Sequence, residues 1–293
     1  MGYRGGMSIP VRWSLLPSLT PIARLVGMAP ADLAIEVAGF PEGIYGVAML
    51  RGEEPVAAGL LVEPRVNPDG SAALAWLGAQ PDAGAELVAL LDWFEATVPP
   101  LGATSLGVSV RSAPAAAALL TTRGYHVANA MIRMEPGTLR PPGPLPTGLA
   151  ERTLKDVGPG AWMIIANEAF AEVPFGVQST LEEVERLVAM PGFDPTLLRF
   201  ICDAQGPVAY FRGVLWAEGG GEVEAVGTLR RARGQGLGRW ALRRGAELLH
   251  ARGASPVFLQ VAETNVRAHG LYVSEGWAEV SRRVVWERAL TPL

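Results

Sequence analysis

Three glycines at alternate positions in Arg233-Gly234-Gln235-Gly236-Leu237-Gly238 stand between an apolar run, Val223 to Leu229, and an amphipathic run, Leu237 to Arg252. A strand, a glycine-rich turn and a helix in that order leave successive N–H groups at a helix N-terminus. No carbonyl of the helix accepts them there, and the helix dipole favours negative charge. Missing Cβ atoms let a ligand reach that backbone. Arg230, Arg231 and Arg233 accompany the turn, and Arg239, Arg243 and Arg244 follow it. The stretch therefore reads as a site for a phosphate-bearing ligand, although a solvated helix face accounts equally well for Arg243 and Arg244.

Two kinds of phosphate site fit the glycines. Gly236-Leu237-Gly238-Arg239-Trp240-Ala241 matches the dinucleotide fingerprint G-x-G-x-x-A, with Glu263 near the distance at which an acidic residue would hold a ribose. Against it, Arg230 to Arg233 intervene between the strand-like run and the first glycine, and too little chain follows Glu263 to complete a doubly wound sheet. Other chemistry is sparse. The single cysteine, Cys202, lies in an apolar run and reads as a small core residue. His126, His250 and His269 are too scattered for a metal site, and none is expected.

The elements that would position the loop recur. Helix-like patches at Thr20 to Val26 and Pro30 to Ala38 precede strand-like runs at Gly43 to Arg51, Val56 to Glu63 and Ser71 to Leu77. The sequence Asn67-Pro68-Asp69-Gly70 supplies a turn before the third run, so an antiparallel meander is expected. A helix at Asp82 to Thr97, a strand at Ser105 to Val110, a helix at Pro114 to Thr122 and a strand at Tyr125 to Met134 follow. The Pro/Gly-rich segment 139–147 supports neither helix nor central strand and reads as a linker.

Beyond it the order returns. A strand at Ala150 to Leu154 and helices at Gly160 to Ala171 and Thr180 to Met190 precede a second meander, Leu197 to Asp203, Val208 to Trp216 and Glu222 to Leu229. A helix at Leu237 to Arg252, a strand at Val257 to Val261, a helix at Asn265 to Glu275 and a strand at Trp277 to Arg288 close the chain. Gly124-Tyr125 and Gly276-Trp277 are matching steps out of a short helix, 152 positions apart. That offset sets Gly84 against Gly236, Pro81 against Arg233 and Glu86 against Gly238. Two domains are expected, 1–138 and 148–293, as copies of which the first has lost the anion loop.

Composition is compatible with this organisation. The 293 residues are 49% hydrophobic and 18% charged, enough apolar material for two cores. A net charge of −4 argues against a nucleic-acid partner. No run approaches the roughly 18 apolar residues of a membrane span, and no secretory pattern opens the chain, so a cytoplasmic protein without a membrane partner is expected.

Arg233-x-x-Gly236-x-Gly238 resembles the pyrophosphate loop of the GNAT superfamily of acyl-CoA-dependent N-acyltransferases, whose pattern is Q/R-x-x-G-x-G/A between a strand and a helix. The resemblance continues through the run Val257 to Val261, Asn265, Ala268, Leu271-Tyr272 and Gly276-Trp277. The doubled layout is similar to tandem GNAT proteins of the mycothiol synthase kind. It implies an α/β (α+β) fold of two GNAT-like domains, each a mixed, mostly antiparallel sheet flanked by helices. It also implies that acetyl-CoA is the co-substrate and a small-molecule amine the acceptor, in a monomer or homodimer, with a non-catalytic acyl-CoA-binding module as the alternative.

By the same resemblance the pyrophosphate lies on Arg233, Gly234, Gln235, Gly236, Leu237, Gly238 and Arg239. The pantetheine arm pairs with Val226, Gly227 and Thr228, where the missing side chain of Gly227 would admit another extended chain. Asn265 contacts the cofactor arm or merely caps its helix. Tyr272 takes the family's acid position, reprotonating the thiolate. For the base, Glu222 and Glu224 share one face of a period-two strand, and two nearby carboxylates raise the pKa of one of them. Phe170 and Phe175 suggest an apolar wall to the acceptor pocket.

Overall fold

A computed structural model of the chain describes residues 10–26, 30, 31, 33, 45–61, 66, 70–110, 114–172, 178–190, 192–217 and 219–290. The chain divides into two compact units, Met1–Met131 with Arg282–Leu293, and Ile132–Ser281. The divisions fall inside two strands and not within the Pro/Gly-rich segment 139–147.

In the first unit, β1 (Pro10–Arg12), α1 (Thr20–Val26), β2 (Tyr45–Arg51), β3 (Glu54–Leu61), β4 (Ser71–Ala79), α2 (Gly84–Thr97), β5 (Ser105–Val110) and α3 (Pro114–Thr122) lead into β6 (His126–Pro136). The meander is present: β2, β3 and β4 pair antiparallel, the first turn made by Gly52 at φ 68°. Then β4 and β5 pair parallel, as a helical crossover requires. The spacing of Leu87, Leu90, Leu91 and Phe94 puts all four on one face of α2, and all four are buried in the core of this unit. The final strand of the chain, β12 (Trp277–Ala289), returns here, its residues Val284 to Ala289 running antiparallel to β5. The expected helix at Pro30 to Ala38 falls mostly outside the described residues, although Leu33 is buried.

The second unit runs β7 (Ala150–Thr153), α4 (Leu154–Phe170), α5 (Leu181–Ala189), β8 (Leu198–Asp203), β9 (Gly206–Leu215), β10 (Gly221–Thr228), α6 (Leu237–Ala251), β11 (Val257–Ala262) and α7 (Val266–Ser274) before β12. Strands β7 to β10 pair antiparallel in chain order, and β11 joins β10 in parallel. Helix α4 begins earlier than its periodicity suggests. The Asp156 carboxylate caps the Thr153 N–H at 2.8 Å, and Gly158, at φ 78°, breaks the helix before Pro159. Helix α6 buries Leu237, Ala241, Leu242, Ala246 and Leu249. A Cβ at Gly245 would stand 3.0 Å from the Phe211 ring, so α6 lies close on β9.

The offset of 152 carries β5 onto β11 and α3 onto α7 residue for residue. The sheet register differs in one place. Ser71 opposes Ser105, whereas Gly221 opposes Val257, so two more residues separate the paired positions in the second unit. The stretch from Gly221 to the start of α6 at Leu237 is longer than that from Ser71 to the start of α2 at Gly84, which puts the addition before the helix.

Candidate functional site

Parallel strands β10 and β11 stay together only at Gly221–Val257 and Glu222–Phe258. On its other side β10 continues to pair with β9 as far as Thr228–Ala209. Among the described residues, the β11-facing edge of Val226 to Thr228 therefore has no strand against it. A cleft of about 630 Å³ opens there, lined by Val226 and Thr228 on one side and by Asn265, Ala268, Leu271 and Tyr272 on the other.

The glycine loop closes one end of the cleft, with Arg233, Gly234, Gly236, Leu237, Gly238 and Arg239 in its lining. After a single 3-10 turn at Arg230–Ala232, Gly234 and Gly236 adopt φ 78° and 77°, the left-handed region that favours glycine. Gly236 is the N-cap of α6, and the first bond of the helix ladder runs from Trp240 N to Gly236 O at 3.0 Å. The N–H groups of Leu237, Gly238 and Arg239 are thus first-turn donors that no helical carbonyl accepts. Gln235 sits in the turn without lining the cleft.

The arginines expected to meet a ligand already have carboxylate partners. Arg231 pairs with Asp203 at 2.6 Å, Arg239 and Arg243 with Glu275, each at 2.6 Å, and Arg244 with Glu151 and Glu247. Arg230 and Arg233 both hold Glu172, which itself lines the cleft, and Arg233 Nε also donates to Thr228 O at 3.2 Å. The guanidinium charges around the loop are thus largely balanced, and the donors left over are backbone N–H groups.

Two expectations about β10 need correction. A Cβ on Gly227 would lie 2.4 Å from the Tyr210 ring and 3.0 Å from Ala169. The missing side chain makes room for that ring beneath the strand and not for a second chain in the cleft, which Gly227 does not line. Nor do Glu222 and Glu224 form a pair. A β-bulge between Val223 and Ala225 breaks the period-two alternation, leaving Glu222 buried and Glu224 exposed. Glu222 accepts from Gln260 Nε2 at 3.0 Å and Trp216 Nε1 at 3.2 Å, while Glu224 is bound by Arg212. Neither carboxylate lines the cleft.

Tyr272 does. Its ring packs beside Trp277 in the core of the second unit, 8% exposed, and its hydroxyl has no protein partner among the described residues. Burial pushes its pKa up to about 12, so it carries its proton at any ordinary pH. Asn265 caps α7 by accepting from Ala268 N at 3.2 Å and lines the cleft as well.

The sequence model described as the acetyltransferase (GNAT) family matches residues 167–277. The matched segment runs from α4 across the loop to Trp277, so it holds every residue of the cleft named above. The chain is 34% identical over 200 residues to a mycothiol acetyltransferase of Frankia casuarinae, covering 61% of this chain and 57% of that protein. With a mycothiol acetyltransferase of Thermobispora bispora it shares 36% over 188 residues, 60% of this chain and 62% of the relative. The chain thus spans about three fifths of the length of the curated relatives it matches. A tandem GNAT protein from the clavulanic acid biosynthesis pathway has the same fold at TM-score 0.74 and 16% identity, covering 98% of this chain and 99% of that one. A GCN5-related N-acetyltransferase from Sphaerobacter thermophilus also reaches TM-score 0.74, at 20% identity over 93% of this chain and 92% of its own. The fold is accordingly the tandem GNAT arrangement, an α/β fold.

Several lining residues of the cleft carry no motif. Thr264, Val266 and Arg267 arrive because Asn265 starts α7 at the cleft's edge, and Ala169 and Glu172 because α4 ends beside β10. Phe170 lines the cleft, while Phe175 lies outside the described residues. The pairing of Glu172 with Arg230 and Arg233 joins residues far apart in sequence and leaves no local signal.

Proposed function

We propose that the GNAT domain transfers an acetyl group from acetyl-CoA to the amine of a small molecule, without a covalent enzyme intermediate. The observation that carries this is the parting of β10 from β11 directly beside a left-handed glycine turn at the N-terminus of α6. The unpaired edge of Val226 to Thr228 suits the amide groups of a pantetheine arm. The amides from Gly234 to Arg239 suit its pyrophosphate, and Asn265 and Arg233 flank the two.

The acceptor nitrogen bonds to the thioester carbonyl carbon, the C–S bond breaks, one proton leaves the nitrogen and one is gained by the sulfur. Tyr272 is the proton donor to the sulfur, having a hydroxyl in the cleft that burial keeps protonated. Glu222 is the base, and because it stands outside the cleft lining it takes the proton through water. That relatives are called mycothiol acetyltransferases makes the amine precursor of mycothiol the first acceptor to try.

Calorimetric titration with acetyl-CoA, followed by a thiol-release screen over amine acceptors, tests the proposal. Absence of binding at millimolar acetyl-CoA would overturn it. The remote position of Glu222 and the pairing of Glu224 with Arg212 favour a second reading, a non-catalytic acyl-CoA-binding module. Tight binding with no turnover of any acceptor would favour that one.

A further inference from the structure

Among the described residues Glu172 is the only carboxylate in the lining of the cleft, and it is bound by Arg230 and Arg233, which lead into the glycine loop. It follows directly on the end of α4 and is half-exposed, so nothing in the core requires it to be there. Arg233, by contrast, is held independently. Its Nε donates to Thr228 O, it is only 20% exposed, and it would keep its place without Glu172. A second tether lies behind the first. The Asn167 side chain on α4 accepts from Ser179 N at 2.9 Å and donates to Ser179 O at 2.8 Å, a two-point staple between α4 and the approach to α5. Asn167 is thus held to Ser179 by neutral hydrogen bonds, and Glu172 to the glycine loop's arginines by ion pairs.

We propose that Glu172 is an internal stand-in for the cofactor's phosphate, occupying Arg230 and Arg233 in the free protein and released from them when a polyanion binds. This deepens the acetyl-CoA reading and rests on it. The physical reason is competition. A carboxylate and a phosphate both want the same guanidinium donors, and phosphate brings more charge and more acceptor oxygens. Each half-exposed ion pair is weak, so the exchange is inexpensive, while Asn167 keeps the segment tethered. Cofactor binding thereby releases Glu172, at the end of α4, from the loop.

The test is Glu172→Gln, titrated separately with acetyl-CoA, with inorganic pyrophosphate and with acetyl-pantetheine, which has no phosphate. Removing the competing charge should tighten acetyl-CoA and pyrophosphate by about threefold to tenfold, the range two weak ion pairs allow, and leave acetyl-pantetheine unchanged. Its acetyl-CoA affinity should also fall more steeply with salt than that of the wild type. Unchanged or weaker acetyl-CoA binding in Glu172→Gln would overturn the proposal, weaker binding meaning that Glu172 orients Arg233 for the phosphate. A wild type that binds no acetyl-CoA, combined with tighter pyrophosphate binding in the variant, would instead overturn the acetyl-CoA reading and leave the competition standing.

Discussion

Replacing Tyr272 by phenylalanine removes one oxygen from the cleft and nothing else. The ring stays in the core beside Trp277, its centroid 6.5 Å from that ring, and no protein hydrogen bond is broken among the described residues. Stability should therefore change by no more than about 1 kcal/mol, because a buried hydroxyl without a partner contributes little net stabilisation. Binding of acetyl-CoA should stay within about twofold, since the hydroxyl acts on the departing sulfur and not on the bound thioester. Turnover is where the loss falls. A general acid contributes about 10² to 10⁴ in rate, so kcat should drop at least about a hundredfold with KM for acetyl-CoA nearly unchanged. A free-thiol assay at saturating acceptor measures it, with calorimetry for the cofactor. A variant that turns over at the wild-type rate would make Tyr272 a core residue only. One that binds acetyl-CoA poorly would make it part of the cofactor wall.

Four further outcomes follow from the geometry. Gly236→Ala puts a side chain on a residue at φ 77° with open space around it, so strain alone costs about 1–2 kcal/mol, whereas a Cβ at helical Gly238 meets Leu271 and Thr228 at ordinary distances and should stabilise α6 by roughly 0.5–1 kcal/mol. Thermal unfolding that ranks Gly236→Ala at or above Gly238→Ala would refute the left-handed cap. Glu222→Gln should depress kcat at unchanged acetyl-CoA affinity, while Glu224→Gln, exposed and paired with Arg212, should leave activity alone; equal effects would remove the distinction made by the bulge. Burial raises the Glu275 pKa, but the hydrogen bond from Arg243 and the charges of Arg243, Arg239 and Arg140 outweigh it and leave the carboxyl below its ordinary value. Its contribution to stability is then whole above the unfolded value near 4.5 and is lost as pH falls through the folded value, so the stability gap between wild type and Glu275→Gln should narrow from neutral pH to about pH 3 in urea denaturation. A gap independent of pH would contradict the pairing. Titration should finally give one acetyl-CoA per chain, and two would show that the first unit also binds.

What could be read from the sequence was whatever a short stretch of chain decides for itself. The glycine loop, its flanking strand and helix, the meanders and the matching Gly-aromatic steps each depend on neighbours within a few residues, and each is found where the pattern puts it. The helix start at Leu154 was missed because apolar spacing resumes only after Gly158 and Pro159, although Thr153 and Asp156 form a legible cap. Glu222 and Glu224 were misjudged for a different reason. Alternation along a strand holds only while the ladder is regular, and the bulge at Val223/Ala225 is set by pairing with β9, which the local sequence does not express. Gly227 shows the same limit. That a glycine leaves space is evident from its type, but that Tyr210 fills the space is a tertiary fact. Glu172 meets Arg230 and Arg233 only because α4 ends beside the loop.

The two copies explain why one unit should bind an anion and the other should not. At the offset of 152, Asp82, Gly84 and Glu86 stand where Gly234, Gly236 and Gly238 do. In the first unit Asp82 and Glu86 both bind Arg51, at 2.7 and 2.9 Å, and Glu86 occupies the first turn of α2. Two carboxylates thus stand at the start of a helix whose counterpart in the second unit carries glycines, and an approaching phosphate would be repelled by them. The strands differ as well. β4 and β5 pair over four positions from Ser71 to Leu74, but β10 and β11 over only Gly221 and Glu222, so the parallel pair parts two residues earlier in the second unit. Changing Asp82 and Glu86 to glycine would therefore not by itself create a second site, because the longer approach to the helix would still be absent.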